Sequence, residues 1–322
     1  MTGPIVAADL AVVIAFGGSG AERDGSRRSA EHVSAVLAPL VRSLALLDLA
    51  DTAFDRAILG CDVVFNAGHG LGAEDGILQG HLEILGVPFT GSGVLASALC
   101  MHKPAFKACL AAAGLPTAPW VVLTPPLTVR AASAAIEGLP GPWFVKPVNG
   151  GESFASGPVN NATEVLELLA RTETDEYRQF MVEPLLAGNT YTVGVSNHGL
   201  GTFVLPVLEA RSLNDFYDAE AKQNPDFREY ICPAPLGAVL TAAVQELAVR
   251  AYDEVGCRGA ARVDFMIDDG APWILEINTV PGFTSQGNLC EILRHSDLSF
   301  ADFLVAELIS AIEFHRGSRG GC

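Results

Sequence analysis

The chain reads as a mixed α/β and α+β protein of two or three lobes, and three observations carry that reading. Strand and helix patterns alternate through residues 10–89, a smaller set of strands with a glycine turn occupies 143–183, and an acidic two-stranded hairpin lies at 260–284. With 322 residues, the chain exceeds the usual size of one domain and has ample material for a core.

In order, the pattern predicts a strand over 10–16, a loop at Gly17-Gly18-Ser19-Gly20, a helix over 26–47 and a strand over 62–66. A loop over 69–76, a helix over 77–85 and a short strand near Val87-Pro88-Phe89 follow, ended by Gly91-Ser92-Gly93. Such alternation implies a mostly parallel sheet with its functional loops at the carboxyl ends of the strands. Residues 97–113 are helical in pattern, Gly114 stops them, and 115–126 is extended chain punctuated by proline, which marks a lobe boundary. The middle lobe holds a helix over 129–137, strands over 143–146 and 180–183, and a helix over 162–170. The remainder holds strands over 192–195 and 202–207, a loop through 215–230, a helix over 238–255, the acidic hairpin and a closing helix over 299–312.

Net charge is −17, and Lys and Arg together number only 20, which argues against nucleic acid or an anionic membrane as partner because both require basic surface. No apolar run is long enough to cross a bilayer, and the amino-terminal residues lack a basic segment and signal core, so a cytoplasmic location is expected. The 7 cysteines are scattered without CxxC spacing, which favours reduced, mostly buried thiols.

The hairpin is the most informative stretch. Val263, Phe265 and Ile267 alternate with Arg262, Asp264 and Met266, and a second strand follows the Asp268-Asp269-Gly270 turn, so pairing should bring Asp264, Glu276 and Asn278 onto one face. Three hard oxygen ligands suit Mg²⁺ that keeps sites for water and phosphate oxygens, which predicts ATP-dependent phosphoryl transfer. The alternative is a surface hairpin whose carboxylates face water; Pro281-Gly282, a turn with free backbone N–H groups beside the acids, favours the metal.

Lys103, Lys146 and Lys222 stand before loops, and Lys146 ends an apolar strand ahead of Pro147, a plausible phosphate anchor; a solvated charge is the alternative for each. Gly150-Gly151-Glu152-Ser153 can fold over phosphates, since glycines let backbone N–H groups approach an anion. Glu183, before Pro184, can accept from an adenine amino group or be an ordinary edge-strand carboxylate.

Several stretches occur together and in order: Gly17-Gly18 with Ala21-Glu22, His69-Gly70 with Glu74-Asp75-Gly76, GSGVLASA from Gly91, Tyr217 to Lys222 as YDAEAK, EYICPA from Glu229, and the acidic hairpin. On these the chain resembles the D-alanine–D-alanine ligase family over nearly its whole length. The resemblance implies the ATP-grasp fold: an N-terminal parallel α/β lobe at 1–98, a central ATP-grasp lobe at 99–189 and a C-terminal ATP-grasp lobe at 190–322 carrying the metal and oxyanion site, the last two closing over ATP and Mg²⁺, with Mn²⁺ a possible substitute.

The implied chemistry has two steps. The first D-amino acid's carboxylate takes the γ-phosphoryl group of ATP, and the second substrate's amine then attacks the acyl phosphate. By position, Asp264, Glu276 and Asn278 would bind metal; Lys103, Lys146, Lys222, Glu152 and Ser153 would face the phosphates and Glu183 the adenine. Arg262 and the Gly282 N–H would stabilise the oxyanion, Glu22 would pair with the first substrate's ammonium, and His69 would lie near its carboxylate.

Departures cluster on the substrate side. Where the family reads E-G-S-S-V-G, this chain places Glu152 at the first serine, and Gln223 replaces a tyrosine after the E-A-K motif. A Glu152–Gln223 contact would relink these loops, since an amide donates to a carboxylate; a Glu152 pointing into the site would instead cost affinity beside triphosphate or select a substrate with a cationic group. Thr190 stands where a ribose-gripping glutamate is usual, and the serine for the second substrate's carboxylate has Ser285 or Asn288 as its candidate counterpart. The resemblance therefore implies D-alanyl-D-alanine for cell-wall precursor synthesis as the default product. A specialised biosynthetic or resistance ligase with another acceptor is the alternative, and a nucleotide-binding homologue without turnover is a third reading, disfavoured by the intact metal and oxyanion set. A homodimer through the first lobe is implied as well.

Overall fold

A computed structural model of the chain describes residues 4–18, 22–150, 156–172, 178–198, 201–212 and 227–319. Three sheets organise them. The first is parallel, with strands β1 (Ala11–Phe16), β2 (Ser43–Asp48) and β3 (Val63–Asn66) in the order β2-β1-β3. Alternate residues of β1 and β3 enter two separate cores: Val12, Ile14 and Phe65 face helix α1 (Arg23–Leu37), while Val13, Ala15 and Val64 face helices α2 (Phe54–Ile58) and α3 (Ile77–Leu85). Helices on both faces explain why these strands are apolar throughout rather than alternating.

The helix expected over 26–47 is two elements. α1 stops at Leu37 because Pro39 cannot donate the next helical hydrogen bond. The leucines beyond it form β2, with Leu44 and Leu46 packing on one core and Leu47 on the other, a period of two inside what reads as a helical run. The short strand expected near Phe89 is a single bridge between Val64 and Phe89.

The helix expected over 97–113 is also divided, into α4 (Val94–Met101) and α5 (Lys103–Ala112). His102 separates them and caps α5, its Nδ1 accepting from the Ala105 N–H at 3.2 Å, while Pro104 occupies the first turn where its missing donor costs nothing.

The central sheet is antiparallel, ordered β4-β7-β5-β6 from β4 (Val121–Leu123), β5 (Trp143–Pro147), β6 (Gly157–Val159) and β7 (Phe180–Pro184). Helices α6 (Val129–Ile136) and α7 (Ala162–Thr172) cover one face through Ala132, Ile136, Val165 and Leu169. The largest sheet is antiparallel too: β8 (Thr190–Asn197), β9 (Thr202–Ser212), β10 (Arg228–Ile231), β11 (Ala261–Asp268) and β12 (Ala271–Asn278), ordered β10-β9-β8-β11-β12. Helix α8 (Ala238–Glu254) packs on its apolar face with α4 and α5, through Val244, Ala248, Ala251, Cys100, Phe106 and Leu110 against Val193, Phe265 and Ile277.

Two helices close the fold. α9 (Asn288–Arg294) and α10 (Phe300–Arg319) return to the first sheet, where Phe303, Leu304, Leu308 and Ile312 share a core with Ile14 and Phe65. Among the described residues, no helix is long and apolar enough to cross a membrane.

Candidate active site

The alternation that buries Val263 and Phe265 turns Arg262 and Asp264 to the opposite face of β11. Antiparallel pairing then sets Asp264 across from Glu276 and Arg262 across from Asn278. A bulge after Asp264 leaves Leu275 without a register partner, so Leu275 and Glu276 both line the same cleft. That cleft, about 1380 Å³, runs between the three sheets.

Asp264 is buried and surrounded by donors. Arg262 Nε and Nη2 reach Oδ1 and Oδ2 at 2.9 Å each, Asn278 Nδ2 reaches Oδ2 at 3.0 Å, and the Thr192 hydroxyl donates to Oδ1. The carboxylate is thus oriented by four hydrogen bonds on the face of the sheet. Glu276 stands beside it, and the Asn278 amide, with its nitrogen on Asp264, keeps its carbonyl oxygen for another partner. Two carboxylates and an amide oxygen form a hard donor set that fits a divalent cation such as Mg²⁺.

A second charged group forms the wall under the central sheet. Glu183 on β7 is buried and accepts from Lys107 Nζ at 2.7 Å through Oε2 and from Lys146 Nζ at 2.6 Å through Oε1. Burial opposes ionisation of Glu183, yet Lys146 and then Lys107 outweigh it and hold the carboxyl at about 2. Burial likewise disfavours the charged form of Lys146, but Glu183 and Glu276 overcome it and raise its pKa. Lys107 goes the other way: burial lowers its pKa, and Glu183 offsets this only in part. Lys146 and Glu183 line the cleft; Lys107 lies wholly buried behind them, its ammonium 5.7 Å from the Trp120 ring centre. Lys103, also lining the cleft, donates to the Gly150 carbonyl.

The N-terminal lobe supplies the opposite wall. Gly18 must be glycine there: its φ is +113°, and a Cβ would stand 1.8 Å from the His69 carbonyl oxygen. Ser26 fixes the same turn, accepting from the Gly17 N–H and donating to the Ala67 carbonyl at 2.8 Å each. Glu22 at the start of α1, and His69 after β3, both line the cleft; His69 Nδ1 is 3.8 Å from Glu74 Oε2 and its Nε2 is 3.3 Å from Ser29 Oγ.

Gly282, Ser285 and Asn288 line the remaining side. The Ser285 carbonyl accepts from Arg294, and Asn288 Oδ1 accepts from the Tyr230 hydroxyl, so the Ser285 hydroxyl and the Asn288 amide nitrogen are not used in these two bonds. The cleft therefore gathers Glu22, His69, Lys103, Lys146, Glu183, Arg262, Asp264, Glu276, Asn278, Gly282, Ser285 and Asn288. Glu152, Ser153, Lys222 and Gln223 lie outside the described residues, as does YDAEAK at 217–222.

Sequence reasoning missed Lys107, Thr192, Ser29 and His32. Lys107 was within reach, one helical turn after Lys103 and so on the same face of α5. Thr192 becomes visible only from the register that sets it opposite Asp264. Ser29 and His32 meet Phe283 across 254 and 251 positions of chain, and no local pattern announces such contacts.

The described cysteines are all free thiols. Burial pushes Cys61 and Cys232 up to about 11 and Cys290 to about 12, which leaves them protonated at neutral pH and suits structural rather than nucleophilic roles.

Comparison with known proteins gives a consistent result. The family model described as D-ala D-ala ligase C-terminus matches residues 109–310. A D-alanine–D-alanine ligase of Alcanivorax borkumensis is 39% identical over 308 residues, 95% of each chain. That of Bordetella petrii is 37% identical over 297 residues, 92% of this chain and 90% of the relative. Among solved structures, the Coxiella burnetii D-alanine–D-alanine ligase superposes with a TM-score of 0.81 at 25% identity, covering 98% of this chain and 97% of the other. The Bacillus anthracis enzyme complexed with ATP shares the fold, with a TM-score of 0.81 at 24% identity over 95% of this chain and 99% of its own.

Proposed function

The chain belongs to the D-alanine–D-alanine ligase family, and on that premise we propose that it joins two D-alanine molecules in an ATP-dependent reaction that supplies D-alanyl-D-alanine for cell-wall precursors. The observation that carries the reading is the floor of the cleft, where Asp264 faces Glu276 and Arg262 faces Asn278 on one side of a rigid sheet.

The residues divide the work by charge. Asp264, Glu276 and Asn278 would hold Mg²⁺, or Mn²⁺ in its place, which when bound neutralises charge on the phosphate oxygens. Lys146 and Lys103 oppose the phosphates of ATP, and Glu183, kept anionic by its lysines, accepts from the adenine amino group. Glu152, Ser153 and Lys222 are assigned to the same nucleotide. Glu22 pairs with the ammonium of the first D-alanine and His69 stands near its carboxylate. That carboxylate attacks the γ-phosphorus and ADP leaves. The amine of the second D-alanine, held through its carboxylate by the Ser285 hydroxyl or the Asn288 amide, attacks the acyl carbon; it loses a proton as phosphate departs. Arg262 and the Gly282 N–H stabilise the oxyanion formed in between, in a closed cleft where such contacts gain strength. Glu152 and Gln223 are assigned to the substrate side.

The same reading treats 1–98, 99–189 and 190–322 as its three lobes, a division that limited proteolysis checks. It places the enzyme in the cytoplasm, where ATP is available, as a homodimer. Ile77, Ile84, Val94 and Leu95, apolar and exposed on α3 and α4, support an interface on the first lobe, and sedimentation equilibrium tests it.

The deciding experiment supplies purified protein with ATP, Mg²⁺ and D-alanine and follows ADP and dipeptide together. One ADP per D-alanyl-D-alanine is expected. Turnover only with a different second amine would move the reading to a specialised ligase, and nucleotide binding without ADP release from any amino acid would overturn it.

A further inference from the structure

Helix α1 grips the backbone of Phe283 at both ends of that residue. The Phe283 N–H donates to Ser29 Oγ at 3.1 Å, and the Phe283 carbonyl accepts from His32 Nδ1 at 2.7 Å. Because a carbonyl oxygen only accepts, His32 carries a proton on Nδ1. Ser29 and His32 are three residues apart on one helical face, so a single rigid element supplies both contacts. Packing fixes the parts further: Ser29 and Phe283 are buried, the His32 ring stacks on Phe300 with centres 5.0 Å apart, and the Phe283 ring meets Phe65 edge-on at 5.1 Å.

The residue just before this clamp is Gly282. Apart from its chain neighbours, no heavy atom lies within 4 Å of where its Cβ would stand, so no side-chain packing fixes it, and glycine is the residue with the most backbone freedom to lose. Its orientation is set by the peptides that flank it. Pro281 restricts the chain on one side, and the clamped Gly282–Phe283 peptide fixes the other.

We propose that Ser29 and His32 are positioning residues for the second step of the reaction, holding Gly282 so that its N–H meets the oxyanion of the tetrahedral intermediate. The inference rests on the ligase reading and assigns a task that neither side chain shows by itself, since neither has to touch substrate. Ser29 also stands 3.3 Å from His69 Nε2, so one hydroxyl joins the first-substrate side of the cleft to the oxyanion turn.

The test compares wild type with Ser29→Ala, His32→Leu and His32→Asn. Asparagine places its Nδ2 donor where the histidine Nδ1 stands, so His32→Asn keeps the hydrogen bond and His32→Leu removes it. Initial rates of ADP and dipeptide formation are read separately, together with KM for ATP and thermal melting. A displaced donor should lower dipeptide formation about ten- to a hundred-fold. ATP KM should stay within about two-fold, because the clamp's hydrogen bonds run to Phe283 and His69 rather than to Lys103, Lys146 or Glu183. Acyl phosphate formed without prompt amine attack is hydrolysed by water, so dipeptide per ADP should fall below one in Ser29→Ala and His32→Leu and return toward one in His32→Asn. Losses of ADP and dipeptide in step, or a His32→Asn variant as poor as His32→Leu, would overturn the proposal. A wild type that releases no ADP with D-alanine would instead overturn the ligase reading, so the two failures are distinct. Should Ser29→Ala fold poorly, the His32 pair decides alone.

Discussion

Lys107 donates to Glu183 across 2.7 Å behind the wall of the cleft, and Lys146 holds the second oxygen of the same carboxylate at 2.6 Å. One buried acid thus serves two cations, of which only Lys146 reaches the cleft. With Lys107 in place, Glu183 would stay compensated if Lys146 served phosphate as proposed. Lys107→Met should therefore destabilise the protein by on the order of 3 kcal/mol, the cost of leaving a buried charge short of its partner. Adding Glu183→Gln should restore part of that loss in urea unfolding. Strictly additive effects would show that the two residues do not act as a pair.

The same carboxylate makes a prediction in pH. Its pKa is depressed in the folded state, about 2 against the ordinary 4.5, so its contribution to stability is complete above 4.5 and is lost as pH falls toward 2. The unfolding free energy of wild type should decline through that window, and Glu183→Gln should flatten the decline. Parallel pH profiles for the two proteins would exclude Glu183 as the source.

Asp264→Ala and Glu276→Ala should each reduce kcat by at least about a hundred-fold, because each removes an oxygen donor and a charge from the proposed cation site. The Mn²⁺ electron paramagnetic resonance titration should weaken in parallel. Tight Mn²⁺ binding retained in both variants would place the cation elsewhere.

Thr192→Val keeps the shape of the side chain but deletes the donor that orients Asp264. Loss of such a supporting contact typically weakens metal affinity about ten- to a hundred-fold. The expected signature is a raised Mg²⁺ requirement with near-normal kcat at saturating Mg²⁺, and an unchanged Mg²⁺ dependence would count against the role.

Arg262→Lys retains the charge and loses the two-pronged geometry that now spans both oxygens of Asp264. Turnover should fall on the order of a hundred-fold, with KM for ATP little changed. A substitution that raised ATP KM and spared kcat would assign Arg262 to the nucleotide instead.

Much of the candidate site is legible in the sequence because it sits on strands, where period-two alternation fixes facing. Arg262, Asp264, Glu276 and Asn278 could be placed on one side of a hairpin from spacing alone, and the register agrees. The bulge that adds Leu275 to that face could not be, since nothing in the local residue types distinguishes it from regular strand. The long helix expected over 26–47 failed for a readable reason: Pro39 was overridden by an apolar run that is β2. Lys107 was visible as a lysine one turn from Lys103, but its meaning depends on Glu183, which is 76 residues away in the chain. Ser29 and His32 lie further still from a sequence signal, because their partner is a backbone group, and every residue has one.

A helix near residue 300 finishes a sheet that begins at residue 11. Phe303, Leu304, Leu308 and Ile312 of α10 complete the packing around Ile14 and Phe65, so during synthesis the opening strands and α1 wait with an unfinished apolar face until residues 300–319 leave the ribosome. The wall of the cleft that carries Glu22, Ser29 and His69 therefore takes its final shape only after residues 300–319 have been translated.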